Sequence, residues 1–156
     1  MRRFRKFLWY DAAAGDDFWV CAGGIVKSKK TYEEGLAVRR AVLGAEYVDR
    51  AIASADSFTG ELQDFVTEWC WGGVWTRPGL PRKTRSMLNL AMLAALNRPH
   101  EIKMHVGAAL TNGVTRKEIA EVFLQVGVYA GAPAAVDAFR IAKEVFDEMD
   151  GQKGKA

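Results

Sequence analysis

From Thr31 onward, apolar residues recur every three or four positions, and Gly, Pro and Asn interrupt them at short intervals. This is the period of helices that each bury one face. Thr31-x-x-Glu34 has the form of a capping box, hydroxyl and carboxylate answering the orphan N–H groups of a helix start. It opens a first helix through GLAVRRAVL that stops at Gly44. A second covers residues 46–53, with Val48 and Ile52 on one side. A third begins near residues 57–59, sets Leu62, Phe65, Val66 and Trp69 at helical spacing, and ends at Gly72-Gly73. Pro81 suits the first position of a fourth helix, where its missing N–H costs nothing. After Ser86 that helix, 82–96, is apolar on most sides, the pattern of a buried, central helix. Pro99 starts a fifth through Leu110, closed by Gly113 as a C′ glycine. A second capping box, Thr115-x-x-Glu118, opens a sixth to about residue 130, and a last helix follows Gly131-Ala132-Pro133 to about residue 149. The expected fold class is all-α, six or seven helices joined by short connections.

Residues 1–30 lack this period. MRRFRKFLWY is basic and aromatic, but Asp11, Asp16 and Asp17 interrupt any following apolar region, so a secretory signal is not expected. The segment reads as a loosely ordered extension, a short hairpin or strand over FWVCAGGIV, or a membrane-surface arm; the domain reads as 31–150, and 151–156 as a frayed tail. A chain of 156 residues suits one domain with a real core. Its net charge is only +3, and from residue 31 onward acids and bases are interspersed, unlike the clustered footprint of a nucleic-acid binder. No apolar run reaches membrane-spanning length. Cys21 and Cys70 form no CxxC and no metal-type spacing, which points to free thiols, a cytoplasmic setting and no metal site.

One stretch concentrates the chemistry. WCWGGVWTRPGLPRKTR, residues 69–85, holds three of the five tryptophans and the bases Arg77, Arg82, Lys83 and Arg85. Its prolines and glycines predict an irregular middle. It reads either as the anion-facing wall of a small-molecule site or as a loop whose tryptophans cap the core. His100, in a first helical turn beside Glu101, reads as solvated. His105 lies at the edge of the stripe Ile102, Val106, Ala109 and Leu110, as a satisfied core histidine or a group lining a cavity. Cys70 reads as core packing more than as a reactive thiol, and Asp64 with Glu68 as a solvated face.

The pieces YEEGLAVRRAVLG, WGGVWTRPGLPRKTRSMLNLAMLAAL, EIKMHVGAALTNGVTRKEIAEV and QVGVYAGAPAAVDAF together resemble the carboxymuconolactone decarboxylase family, in its order and spacing over residues 32–147. The resemblance implies an alkylhydroperoxidase D-like helical fold. The CxxC of the peroxidases is missing before His105, which disfavours dithiol chemistry. It implies a cofactor-free decarboxylase of a small, doubly carboxylated lactone (4-carboxymuconolactone-like) in aromatic-compound catabolism by the beta-ketoadipate pathway. It further implies a homo-oligomer, a trimer or a hexamer. His105, Arg85 and Glu101 are its catalytic candidates; Trp71, Trp75, Arg77, Arg82, Ser86 and Tyr129 are its substrate-binding candidates. Arginines suit carboxylates because their planar fork donates two parallel hydrogen bonds. Trp69, Gly73 and Val136 depart from the family's pattern and point to a changed substrate. A lactone or enol isomerase using the same wall, and a non-catalytic ligand-binding oligomer, are the other expectations.

Overall fold

The computed structural model describes residues 18–20 and 26–153. Two short strands, β1 (Phe18–Val20) and β2 (Val26–Ser28), pair antiparallel with Trp19 opposite Lys27. Seven α-helices follow: α1 (Lys29–Leu43), α2 (Ala45–Ala53), α3 (Gly60–Phe65), α4 (Arg82–Ala95), α5 (Pro99–Thr111), α6 (Arg116–Tyr129) and α7 (Ala132–Lys153). Between α3 and α4 the chain continues as a π-helix, Val66–Trp75. The expected helical architecture is present. The N-terminal expectation falls largely outside the described residues, as does the tail beyond Lys153.

Several boundaries differ from the sequence reading. The N-cap of α1 is Ser28, not Thr31: its hydroxyl accepts from the Thr31 N–H at 3.4 Å, so the helix starts directly from β2. Glu34 is therefore released from capping. The Thr115–Glu118 box forms as expected, with both reciprocal bonds present. Pro81 is the N-cap of α4 rather than its first residue. The largest difference is the π-helix. Gly72 and Gly73 do not end a helix there; they lie inside it.

The reason is tertiary. Helix α1 crosses the π-helix at the closest range backbone permits. A methyl group on Gly35 would strike the Thr67 carbonyl and come within 2.5 Å of the Gly72 nitrogen; one on Gly72 would strike the Thr31 carbonyl and lie 2.8 Å from the Thr31 Cγ2. Low helix propensity at these positions is outweighed by contact that only glycine permits. The Thr76 hydroxyl donates to the Gly72 carbonyl as the π-helix ends.

Two cores result. One joins α4 to α7 through Leu90, Ile102, Val106, Ile119, Phe123 and Ile141, among others. The other packs Trp71 and Trp75 against Val38, Val42 and Ala108. Helix α4 is not buried all round: Ser86, Leu90 and Ala94 face inward, while Leu88, Met92 and Leu96 are exposed in the single chain. Leu62, Phe65 and Trp69 likewise share helical spacing but face outward. Hydrophobic period alone does not say whether a face meets its own chain.

Candidate functional site

The aromatic–arginine stretch divides between three structural tasks. Trp71 and Trp75 are i and i+4 on the π-helix, with ring centroids 4.7 Å apart, and both are buried. They anchor the segment to α1 and α5. The bases that follow are apportioned by their partners. Lys83 pairs with Glu118 at 2.7 Å, tying the start of α4 to α6. That contact and the Thr115 hydrogen bonds draw the Glu118 carboxyl down to about 2. Arg85 turns back and donates from Nη2 to the Arg77 carbonyl at 3.1 Å, while its Nε is buried without a partner. Arg85 therefore fixes the loop's backbone. The side chains of Arg77 and Arg82 make no ion pair or hydrogen bond among the described residues and remain available to a ligand.

They face an open cleft of about 560 Å³. One wall is the loop from Trp75 to Arg82, with Thr76, Arg77, Pro78, Leu80 and Pro81 between; the other is the exposed side of α1, through Glu34, Ala37 and Val38. The cleft has an apolar floor, two cationic groups on one side and one carboxylate on the other. Two free guanidiniums beside a tryptophan suit a small, flat, doubly anionic molecule.

Of the nine site residues expected from sequence, Trp75, Arg77 and Arg82 line this cleft. Trp71 backs it from the core and Arg85 holds its loop. Ser86 is fully buried, and its hydroxyl accepts from Asn112 Nδ2 at 2.9 Å, a bond that sets the antiparallel register of α4 and α5. It is turned into the helix interface and away from the cleft. Tyr129 is exposed at the end of α6 and is not a cleft residue in the single chain. His105 is half-buried on α5, seven residues before Asn112, hence about 10 Å down the helix from the level of Ser86. It does not line the cleft, and neither does Glu101, one turn away.

Burial holds the His105 imidazole below its ordinary value, with the Glu101 charge opposing the shift, and Nδ1 is buried without a partner. The ring is thus neutral near pH 7. A sign follows for stability. The unfolded chain takes up a proton below about 6.5 that the folded ring resists, so stability falls as pH drops through that value. His105→Gln is expected to remove this component; equal slopes of urea midpoint against pH between pH 7 and 5 in both proteins would contradict it.

Sequence reasoning misassigned two charged residues, Glu68 as a solvated face and Glu34 as a cap, and passed over Arg39. Glu68 is buried, and its Oε1 accepts the Ser28 N–H at 2.7 Å, linking the end of β2 to the π-helix. Arg39 is buried and donates to Thr67 Oγ1 at 2.9 Å and Gln63 Oε1 at 2.8 Å. Glu34 lines the cleft. Nothing in local sequence separates these from solvated charges. Cys70, read as core, is exposed. His100 is exposed as expected. Trp69, Gly73 and Val136, the departures from the family pattern, are exposed and absent from the cleft wall. Among the described residues no group of three or more His, Cys, Asp or Glu could hold a metal ion, and no helix is long and apolar enough to cross a membrane.

The chain belongs to the carboxymuconolactone decarboxylase family, whose model matches residues 60–144. It is 42% identical over 124 residues to the 4-carboxymuconolactone decarboxylase of Acinetobacter baylyi, covering 80% of this chain and 92% of that one. It is also 40% identical over 121 residues to nitrosuccinic acid decarboxylase npaB of Metarhizium robertsii, covering 78% and 85%. A 44-residue match at 43% identity is to a 4-carboxymuconolactone decarboxylase of Pseudomonas putida.

Proposed function

We propose that the protein is a carboxy-lyase that removes carbon dioxide, without a cofactor, from a small dicarboxylate of the 4-carboxymuconolactone class, as in aromatic-compound catabolism. The observation that carries this reading is the pair of unpaired guanidiniums, Arg77 and Arg82, on the wall of a cleft floored by Trp75. Losing carbon dioxide leaves an electron pair on carbon. A neighbouring lactone can delocalise it as a dienolate, so the protein's part is to bind two carboxylates, exclude water and return a proton. Preorganised charge in a water-poor site is the largest usual contribution to such a step.

The second relative favours a second substrate within the same chemistry. Nitrosuccinic acid also has two carboxylates and an adjacent group, the nitro group, that accepts the electron pair. The test is carbon dioxide release by the purified protein from 4-carboxymuconolactone and from nitrosuccinate. Release from either supports the reading, and the ratio of kcat/KM values selects the substrate. Lactone rearrangement without carbon dioxide would establish the isomerase alternative, and binding without turnover the non-catalytic one.

A further inference from the structure

The decarboxylation needs a proton at carbon, and the histidine expected to supply it is not on the cleft wall. The wall has one titratable group that can: Glu34. We propose that Glu34 is the acid that protonates the substrate carbon after carbon dioxide leaves. This rests on the decarboxylase reading and adds a catalytic residue to it. Glu34 lies on α1, outside the residues that the family model matches.

Glu34 has no structural task of its own on α1. A capping glutamate would be occupied with backbone N–H groups, but Ser28 caps α1 and leaves Glu34 exposed, with no ion pair or hydrogen bond among the described residues. Its position on α1 puts it across the cleft from the loop that holds Arg77 and Arg82. None of the other charged residues of α1 (Lys29, Lys30, Glu33, Arg39 and Arg40) lines the cleft. Arg39 is held by Thr67 and Gln63, Arg40 by Asp49, Glu68 by the Ser28 N–H, and Glu46 by Arg50. His105 of α5 is off the wall, and Lys30, one turn before Glu34 on α1, does not line the cleft either. The charged groups that share the cleft wall with Glu34 are Arg77 and Arg82.

That makes its protonation depend on the ligand. In the empty cleft two guanidiniums share the wall with Glu34. A bound dicarboxylate neutralises them, displaces water and puts two negative charges opposite Glu34. Like charge and desolvation both favour the neutral acid, so binding draws in a proton. The C–C bond to one substrate carboxylate then breaks. Carbon dioxide leaves, and the electron pair passes into the adjacent electron-withdrawing group. The carbon takes the proton of the Glu34 carboxyl group. Water reprotonates Glu34, so the sum is dianion plus proton to monoanion plus carbon dioxide.

The test uses the whole protein and the isosteric variant Glu34→Gln, with succinate as an inert dicarboxylate probe. Calorimetry at pH 7 in two buffers of different ionisation enthalpy counts protons taken up on binding. The wild type is expected to take up close to one proton per succinate and Glu34→Gln none, with succinate bound at least as tightly. On the decarboxylated substrate, kcat of Glu34→Gln should fall about 100-fold or more while KM does not rise, the size of a general-acid contribution. Glu34→Asp should recover part of kcat, which a fold defect would not allow. Proton uptake that survives Glu34→Gln, or turnover within a few-fold of wild type, overturns the assignment. No carbon dioxide from the wild type on either substrate would instead remove the decarboxylase reading, with the proton count still deciding whether Glu34 senses a bound dianion.

Discussion

Gly72→Ala is expected to destabilise the protein by about 3 kcal/mol or more, at the upper end of overpacking costs. In a domain of this size that lowers the melting temperature by about 10 °C. The added methyl has nowhere to go: the Thr31 carbonyl and Thr31 Cγ2 occupy its place, and both belong to the start of α1. Relief requires α1 to move off the π-helix, which opens the core around Trp71, Trp75, Val38 and Val42. Gly35→Ala should cost a similar amount, because its methyl strikes the same crossing from the other side. The two changes should not add, since the first already separates the elements. Gly73→Ala is the control: its nearest neighbour is the Glu68 carbonyl oxygen at 3.7 Å, an ordinary contact. Thermal melts of the three variants decide the matter. Equal melting temperatures for Gly72→Ala and Gly73→Ala would show that the crossing is not as close as described.

For function the largest expected effect of an arginine replacement is at Arg77. Its guanidinium is unpaired at the cleft, and charge-assisted hydrogen bonds are worth about 1.5–3 kcal/mol each, or roughly 10- to 150-fold in binding. Arg77→Ala should raise KM by about 100-fold, with kcat changing less. Arg77→Lys should recover only a small part, because an ammonium cannot replace the planar fork. Arg85→Ala should also raise KM, for a different reason: it removes the donor that fixes the Arg77 carbonyl. The double variant should then lose less than the sum, as the two residues act through one loop. Wild-type KM in Arg77→Ala would remove the cleft from substrate binding.

How far the sequence reveals this arrangement depends on how local each determinant is. The Thr115–Glu118 cap is legible because both partners sit within one turn. The Thr31 box fails because Ser28, three residues earlier, competes for the same role and is held by Glu68, forty residues away. Gly72-Gly73 reads as a helix end, since propensity is a local quantity, whereas the π-helix is held by contact with Gly35 on another element. The bases of the aromatic stretch are equivalent by composition. Only the fold shows Lys83 engaged with Glu118 and Arg85 with a carbonyl, leaving Arg77 and Arg82 free. Ser86 beside Arg85 reads as part of the same site, but a helix turns adjacent residues about 100° apart, and Ser86 faces Asn112.

On the proposed function, the cleft of Trp75, Arg77 and Arg82 is where a dicarboxylate loses carbon dioxide. The most direct measurement is carbon dioxide release from 4-carboxymuconolactone and nitrosuccinate by the wild type and by Arg77→Ala at subsaturating substrate. The expected result is release by the wild type from at least one of the two, and a rate lowered about 100-fold in the variant. No release from either substrate, or equal rates in the two proteins, would contradict it.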